Sequence, residues 1–485
     1  MLNETRKLIS HSAVYGIGNV LTKAVVFFLI PLYARKLQPQ EYGIVGLLEL
    51  VELFGKAILI FGLGQALLRF INEYKSRHAE HVLVSSFLTF LLLANFLVLG
   101  ILFFIPAPFV RQILVLTPDN VLYFRYILIV IFSTIFQGIF LVILQAEEKT
   151  VWYALYTFTN FLLLVLLNIY KVGLRNEGIL GIVQSKLYVS LLGLVIVSVF
   201  FVKRFKFNFS FTVLKEGLRY GFPLVFVATS LTVLTIADRY FLKIFRGMEE
   251  VGIYSMTYKF GMILNMVLIT PFRTAFLPFI FRQSNRPDVK KMFRKYLTYF
   301  MYVGFILFLG LSLFAREIQL FVTTTEYLSG YILIPVITFS YFLFGIRMMF
   351  TAALGITKKT QVVAYSAVTG ALLNILLNIL LIPSYGMMGA AIATLLSYLF
   401  ITGTTYIAAQ HWYPINWDWV RNFKLCIIGL GIFFLSLLLN FQNIWLSLLW
   451  KLVLFISFPV ILYIFKFYKE EELEIFMNFY RKIKF

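Results

Sequence analysis

The chain has 485 residues, 61% of them hydrophobic and only 13% charged; soluble domains carry about 25% charged residues, so a water-soluble fold is excluded. Continuous apolar runs, without the alternation of a lipid-facing strand, exclude a membrane β-barrel. The net charge of +21 sits mostly in short loops beside apolar runs, which points to anionic membrane lipids and away from nucleic acid.

A run of about 20 apolar residues crosses a bilayer as a helix. In chain order such runs fall near 9–34, 42–70, 82–105, 120–145, 151–171 and 178–202. A basic linker from Lys203 to Arg219 follows, and then a second set near 217–244, 252–281, 296–315, 330–356, 361–382 and 387–410. Two more runs, near 422–441 and 444–465, bring the expected total to fourteen. The expected fold class is an all-α polytopic membrane protein. Although Arg6 and Lys7 precede the first run, it contains His11, Asn19 and Lys23 and no small-residue cleavage site, so it reads as a spanning helix and not as a signal peptide. Lysine and arginine concentrate at the N-terminus, in the even-numbered loops and in the tail, which predicts cytoplasmic termini.

The two six-helix sets share landmarks in the same order. Glu41-Tyr42-Gly43-Ile44 matches Glu250-Val251-Gly252-Ile253, Lys149-Thr150 matches Lys359-Thr360, Asn168 matches Asn378, and Gly178-x-x-Gly181 matches Gly386-x-x-Gly389, all at an offset of about 209. An even number of helices per copy makes the repeats parallel, with a site between the halves near the midplane. The expected organisation is an N-terminal repeat over 1–210, a C-terminal repeat over 211–410, two additional helices over 411–465 that do not line the cavity, and a tail over 466–485. In that tail Leu473, Phe476, Phe479, Tyr480 and Ile483 form one apolar face, which suits a helix lying on the membrane surface.

Charges inside the spans carry the functional argument. Glu49, Glu52 and Lys56 are spaced i, i+3, i+7 and share one face of the second span. An ionised group at mid-bilayer costs about 2.5–3.5 kcal/mol, so that face must look into protein or water. Lys23 and Asn19 lie on a polar stripe of the first span; Asp238 and Arg239 lie near one end of the seventh; Lys259 and Arg273 lie in the eighth, with Pro271 breaking the hydrogen-bond ladder beside Arg273. Glu52 and Lys56 are placed to pair within their helix, Asp238 to offset Arg239 or Lys259, and Lys186 and Lys451 to snorkel. Cations still outnumber the acids Glu49, Glu52 and Asp238, and a cationic surplus in a bilayer calls for an anionic guest. The four histidines show no metal spacing, the single Cys426 permits no internal disulfide, and no P-loop or nucleophile–histidine pair is present. A non-enzymatic transporter without cofactor or metal is expected.

The opening Ser12-Ala13-Val14-Tyr15-Gly16-Ile17-Gly18-Asn19, the stretch Pro31-Leu32-Tyr33-Ala34-Arg35-Lys36-Leu37 and the following Glu41-Tyr42-Gly43 resemble the polysaccharide-export flippases of the multidrug/oligosaccharidyl-lipid/polysaccharide superfamily. The resemblance implies a monomer in a bacterial inner membrane that inverts an undecaprenyl-pyrophosphate-linked oligosaccharide by alternating access, alongside other polysaccharide-assembly membrane proteins. Lys23, Lys56, Arg273, Asn19, Arg239 and Lys259 would hold the substrate, and Glu49, Glu52 or Asp238 would bind a coupling ion. Lipid II flippases share that fold and a cationic cavity. Drug/cation antiporters share the fold, but a cavity for cationic drugs should favour acids over bases, the reverse of this chain.

Overall fold

A computed structural model describes residues 27–76, 79–114, 120–204, 208–438 and 443–470, with Glu472 and Glu474. Most of the first expected span, including Asn19 and Lys23, and the apolar face of the tail lie outside the described residues. Every regular element among the described residues is helical. The first half comprises α1 (27–36), α2 (Pro39–Leu59), α3 (Leu63–Ser76), α4 (Glu80–Phe104), α5 (Ala107–Leu114), α6 (Val121–Ala146), α7 (Thr150–Asn168) and α8 (Gly178–Arg204). The second comprises α9 (Phe211–Ile236), α10 (Asp238–Arg246), α11 (Met248–Gly261), α12 (Thr270–Arg282), α13 (Val289–Leu313), α14 (Ala315–Val322), α15 (Leu333–Ile356) and α16 (Thr360–Trp412). Two helices close the chain, α17 (Trp419–Leu438) and α18 (Ile444–Ile464). Among the described residues eleven helices are long and apolar enough to cross a bilayer, and the chain is a multi-pass membrane protein.

The expected spans break where the backbone chemistry demands it. In place of one helix over 42–70, α2 and α3 meet at a turn in which Phe61 and Gly62 have φ of 51° and 70°. A Cβ at Gly62 would overlap the Gly221 carbonyl of α9, so glycine is what lets the two backbones touch. The Leu59 carbonyl, freed by the break, accepts a hydrogen bond from the buried Asn95 Nδ2 at 3.1 Å, which satisfies it away from water. The run over 252–281 divides into α11 and α12 around a π-helical turn, Asn265–Ile269. Pro271, in the first turn of α12, has no N–H to continue the ladder, and the π turn absorbs the mismatch. The long α16 bends at Gly386, φ 54°, in the expected gap between 361–382 and 387–410.

Local features recur at about the offset of the sequence landmarks. The short helices α5 and α14 occupy corresponding places. Glu148 corresponds to Lys358 and Gly178 to Gly386, all four with positive φ.

Buried apolar side chains form two clusters, one mainly from α1 to α8 and the other mainly from α9 to α18. They interlock through α2 and α11: Leu47 of α2 belongs to the second, and Ile253, Met256 and Phe260 of α11 to the first. The two helices run side by side in the same direction. Gln40 Nε2 donates to Glu249 Oε2 at 3.1 Å. A Cβ on Gly43 would overlap the Met248 carbonyl, one on Gly252 the Pro39 carbonyl, and one on Gly46 the Ser255 hydroxyl. Each helix thus offers the same position to the other, and glycine brings the backbones together.

Helices α17 and α18 pack on α13 and on each other. Thr298 Oγ1 donates to the buried Asn422 Oδ1 at 3.0 Å, Gly429 accommodates the Phe305 ring, and Trp445 is 76% exposed.

Candidate functional site

Helix α2 carries the charged face. Its start is fixed by Pro39 in the first turn, where no N–H partner is required, and by the Gln38 N–H donating to Glu41 Oε2 at 2.9 Å. From that start, helical periodicity turns Glu49 toward α10 and α11, and Glu52 toward α8.

Two carboxylates gather four cations. Glu49 receives Lys259 Nζ of α11 at 2.8 Å and Arg239 Nη1 of α10 at 3.1 Å. Glu52 receives Lys56 Nζ at 2.6 Å and Lys186 Nζ of α8 at 2.8 Å. Aromatic faces support the buried cations: Lys259 Nζ lies 5.5 Å from the Tyr42 ring centre and the Arg239 guanidinium carbon 5.8 Å from that of Tyr258, within range for a cation–π contact. The Lys259 and Arg239 side chains are only 6% and 5% exposed, whereas Lys186 and Lys56 reach 23% and 31%. Lys56 and Lys186 are therefore the more open cations of the cluster. With Asp238 beside Arg239 counted, the four cations exceed the neighbouring carboxylates by one.

Several expectations change here. The Glu52–Lys56 pair forms as its spacing required. Arg239 and Lys259 make their side-chain ion pairs with Glu49, which the close approach of α2 and α11 brings within reach, while Asp238, as expected, also offsets the Arg239 charge. Asp238 is itself held by the Tyr254 hydroxyl and by the Arg239 backbone N–H at 2.9 Å. Lys186 and Lys451 gain acidic partners: Lys186 joins Glu52, and Lys451 Nζ meets Glu317 at 2.6 Å. Arg273 is exposed on α12, and among the described residues it forms no ion pair. Lys186 stood out in the sequence as a cation inside an apolar span, but its pairing with Glu52 did not, since that partner lies on another helix.

Helix α10 also packs on α16, where Asn378 Nδ2 donates to Asn374 Oδ1 at 3.1 Å. Asn378 Oδ1 is buried without a partner among the described residues. No group of three or more histidine, cysteine or acidic side chains suited to a metal occurs among the described residues.

Comparison with known proteins gives three results. The family model described as polysaccharide biosynthesis protein matches residues 8–284. An uncharacterised membrane protein of Haemophilus influenzae is 27% identical over 297 residues, 58% of this chain and 67% of that protein. Another, of Methanocaldococcus jannaschii, is 24% identical over 410 residues, 78% of this chain and 92% of its own. Among solved structures, the lipid II flippase MurJ in an inward closed conformation superposes with a TM-score of 0.75 at 15% identity, covering 94% of this chain and 99% of its own. An inward-facing multidrug resistance transporter of the MATE family and MOP superfamily gives 0.66 at 14% identity, covering 83% and 95%. The fold is that of these transporters.

Proposed function

The chain belongs to the polysaccharide biosynthesis protein family, and from that premise we propose that it is a flippase moving a polyprenyl-pyrophosphate-linked saccharide across a bacterial inner membrane by alternating access. The observation that carries this reading is the surplus of cations around Glu49 and Glu52, set where α2 and α11 meet. A pyrophosphate needs donors from several sides: arginine engages its oxygens in pairs and lysine acts as a point charge. Lys56 and Lys186 are the accessible donors. Lys259 and Arg239 become available when the halves part and Glu49 leaves them. Arg273 and the first-span residues Lys23 and Asn19 are proposed to complete the substrate path. Glu49 thereby acts as a stand-in for the cargo, holding the cations while no headgroup is present.

The offset landmarks, the repeated positive-φ residues and the parallel α2–α11 contact support two parallel six-helix repeats within a fourteen-helix chain. The loop charges support cytoplasmic termini. In that orientation the starts of α2 and α11 lie on the outer side, so the Gly43–Gly252 contact closes the outer face. Asp238, a buried carboxyl held by a hydroxyl and an amide, is the proposed site for a coupling proton or monovalent cation.

Two cargoes share the headgroup. A lipid-linked oligosaccharide is the cargo the family description favours; lipid II is favoured by the extent of the superposition on the lipid II flippase. Complementation separates them: strains lacking either flippase are supplied with the wild-type gene, Lys56→Glu, Arg273→Glu or Arg273→Lys, with protein abundance measured alongside. Rescue of one strain by the wild type identifies the cargo. Both glutamate variants should abolish that rescue at normal abundance, and Arg273→Lys should retain part of it. Full rescue by both glutamate variants would refute the pyrophosphate role.

A further inference from the structure

Between α4 and the α2–α3 turn of the first half and α9 of the second lies a groove of about 590 Å³. Its walls are the rings of Phe61, Phe90, Phe211 and Phe222, and along one side run Lys215 and Arg219, one helical turn apart on α9. Both cations are exposed, and among the described residues neither forms an ion pair. Glu216, the acid between them, is engaged by the Tyr74 hydroxyl at 2.8 Å. The groove runs along α9 for roughly 17 Å, from Phe211 to Phe222 at 1.5 Å per residue. Lys215 and Arg219 lie one and two turns into α9, whose start follows the basic stretch Lys203, Arg204 and Lys206 in the sequence; the far end of the groove stops at the turn where Gly62 and Gly221 touch backbone to backbone.

We propose that this groove is a binding site for an anionic phospholipid, with the phosphate on Lys215 and Arg219 and one acyl chain against the phenylalanine rings. Three features select that occupant. Among the described residues the cations form no ion pair, and they lie in the first turns of α9, where their stems can reach the headgroup level. The aromatic walls offer an acyl chain a surface inside the bilayer. The Gly62–Gly221 backbone contact stands at the far end of the groove, and none of the cluster's charged side chains is among the groove's lining residues. Because the chain end rests on the Phe61–Gly62 turn, the lipid braces the break between α2 and α3. The assignment is independent of the cargo.

The test uses the full chain reconstituted in phosphatidylcholine vesicles, with tryptophan introduced as Phe222→Trp and, as a second reporter, Phe90→Trp. Quenching is measured with brominated phosphatidylglycerol and brominated phosphatidylcholine, the wild-type signal being subtracted. Half-maximal quenching should need roughly tenfold less phosphatidylglycerol than phosphatidylcholine, as expected for two basic side chains near an anionic headgroup. The preference should vanish in the Lys215→Gln/Arg219→Gln background. Equal quenching by the two lipids at both reporters, or a preference that survives the double substitution, would overturn the proposal. So would displacement of the brominated lipid by undecaprenyl phosphate at a tenfold lower mole fraction than by unlabelled phosphatidylglycerol, which would give the groove to a polyprenyl carrier.

Discussion

At Glu49 one carboxylate holds two buried cations from two other helices, and its loss would leave Lys259 without its ion-pair partner and Arg239 with only Asp238 beside it. Breaking a buried pair costs about 3–5 kcal/mol, whereas an exposed pair is worth about 0–1 kcal/mol. Glu49→Gln should therefore lower the thermal unfolding midpoint in detergent by several degrees. Glu52→Gln, whose partners Lys56 and Lys186 are the more open cations, should lower it less. Joining Glu49→Lys to Lys259→Glu should recover part of the loss, and a double-mutant cycle reads the coupling directly. An unchanged midpoint in Glu49→Gln would show that the Glu49 pairs hold nothing. The Glu52–Lys56 pair was legible in the sequence because both residues lie on one helix, four positions apart. The partners of Lys186 and Lys259 were not, because each depends on which helices touch. One clue existed for Lys259: it lies 210 residues after Glu49, close to the repeat offset, where a repeat-mate contact would place it.

Two helix contacts depend on bare backbone. At Gly43 and Gly252, α2 and α11 approach so closely that any Cβ meets a carbonyl oxygen of the other helix. Leucine at either position should keep these ends apart and hold the molecule open on that face. Spin labels on the starts of α2 and α11 should then report a longer distance than in the wild type; an unchanged distance would show that the contact is not a closure. At Gly62 the positive φ and the overlap with Gly221 act together. Gly62→Ala should reduce the yield of folded protein more than Ala at Gly431, which has open space around it; equal yields, read by size-exclusion chromatography, would contradict this. Helix positions were legible from apolar run length alone. The break at Phe61–Gly62 was not, since a lone glycine in an apolar run gives no sign that a second backbone approaches it. Pro271 did signal a break, but not that a π turn would accommodate it.

On the scale of the whole molecule, composition sufficed for an all-helical membrane protein, and the shared landmarks sufficed to propose two parallel halves. The structure adds how the halves meet: side by side along α2 and α11, with glycines at one end of the contact and the Glu49 ion pairs farther along it. In the proposed cycle the cargo's pyrophosphate takes the cations that Glu49 releases, so headgroup binding and the parting of the halves become one event. Transport should therefore require the pyrophosphate and tolerate changes in the sugar. The most direct measurement is translocation in proteoliposomes containing the purified chain. A fluorescently labelled polyprenyl-pyrophosphate saccharide is supplied on one side, and its arrival on the other is followed by a membrane-impermeant quencher. The account predicts movement by the wild type, loss in Lys56→Glu/Lys186→Glu, and no movement of a matched lipid whose headgroup lacks phosphate. Equal movement of the charged and uncharged lipids, or undiminished movement in the double variant, would contradict it.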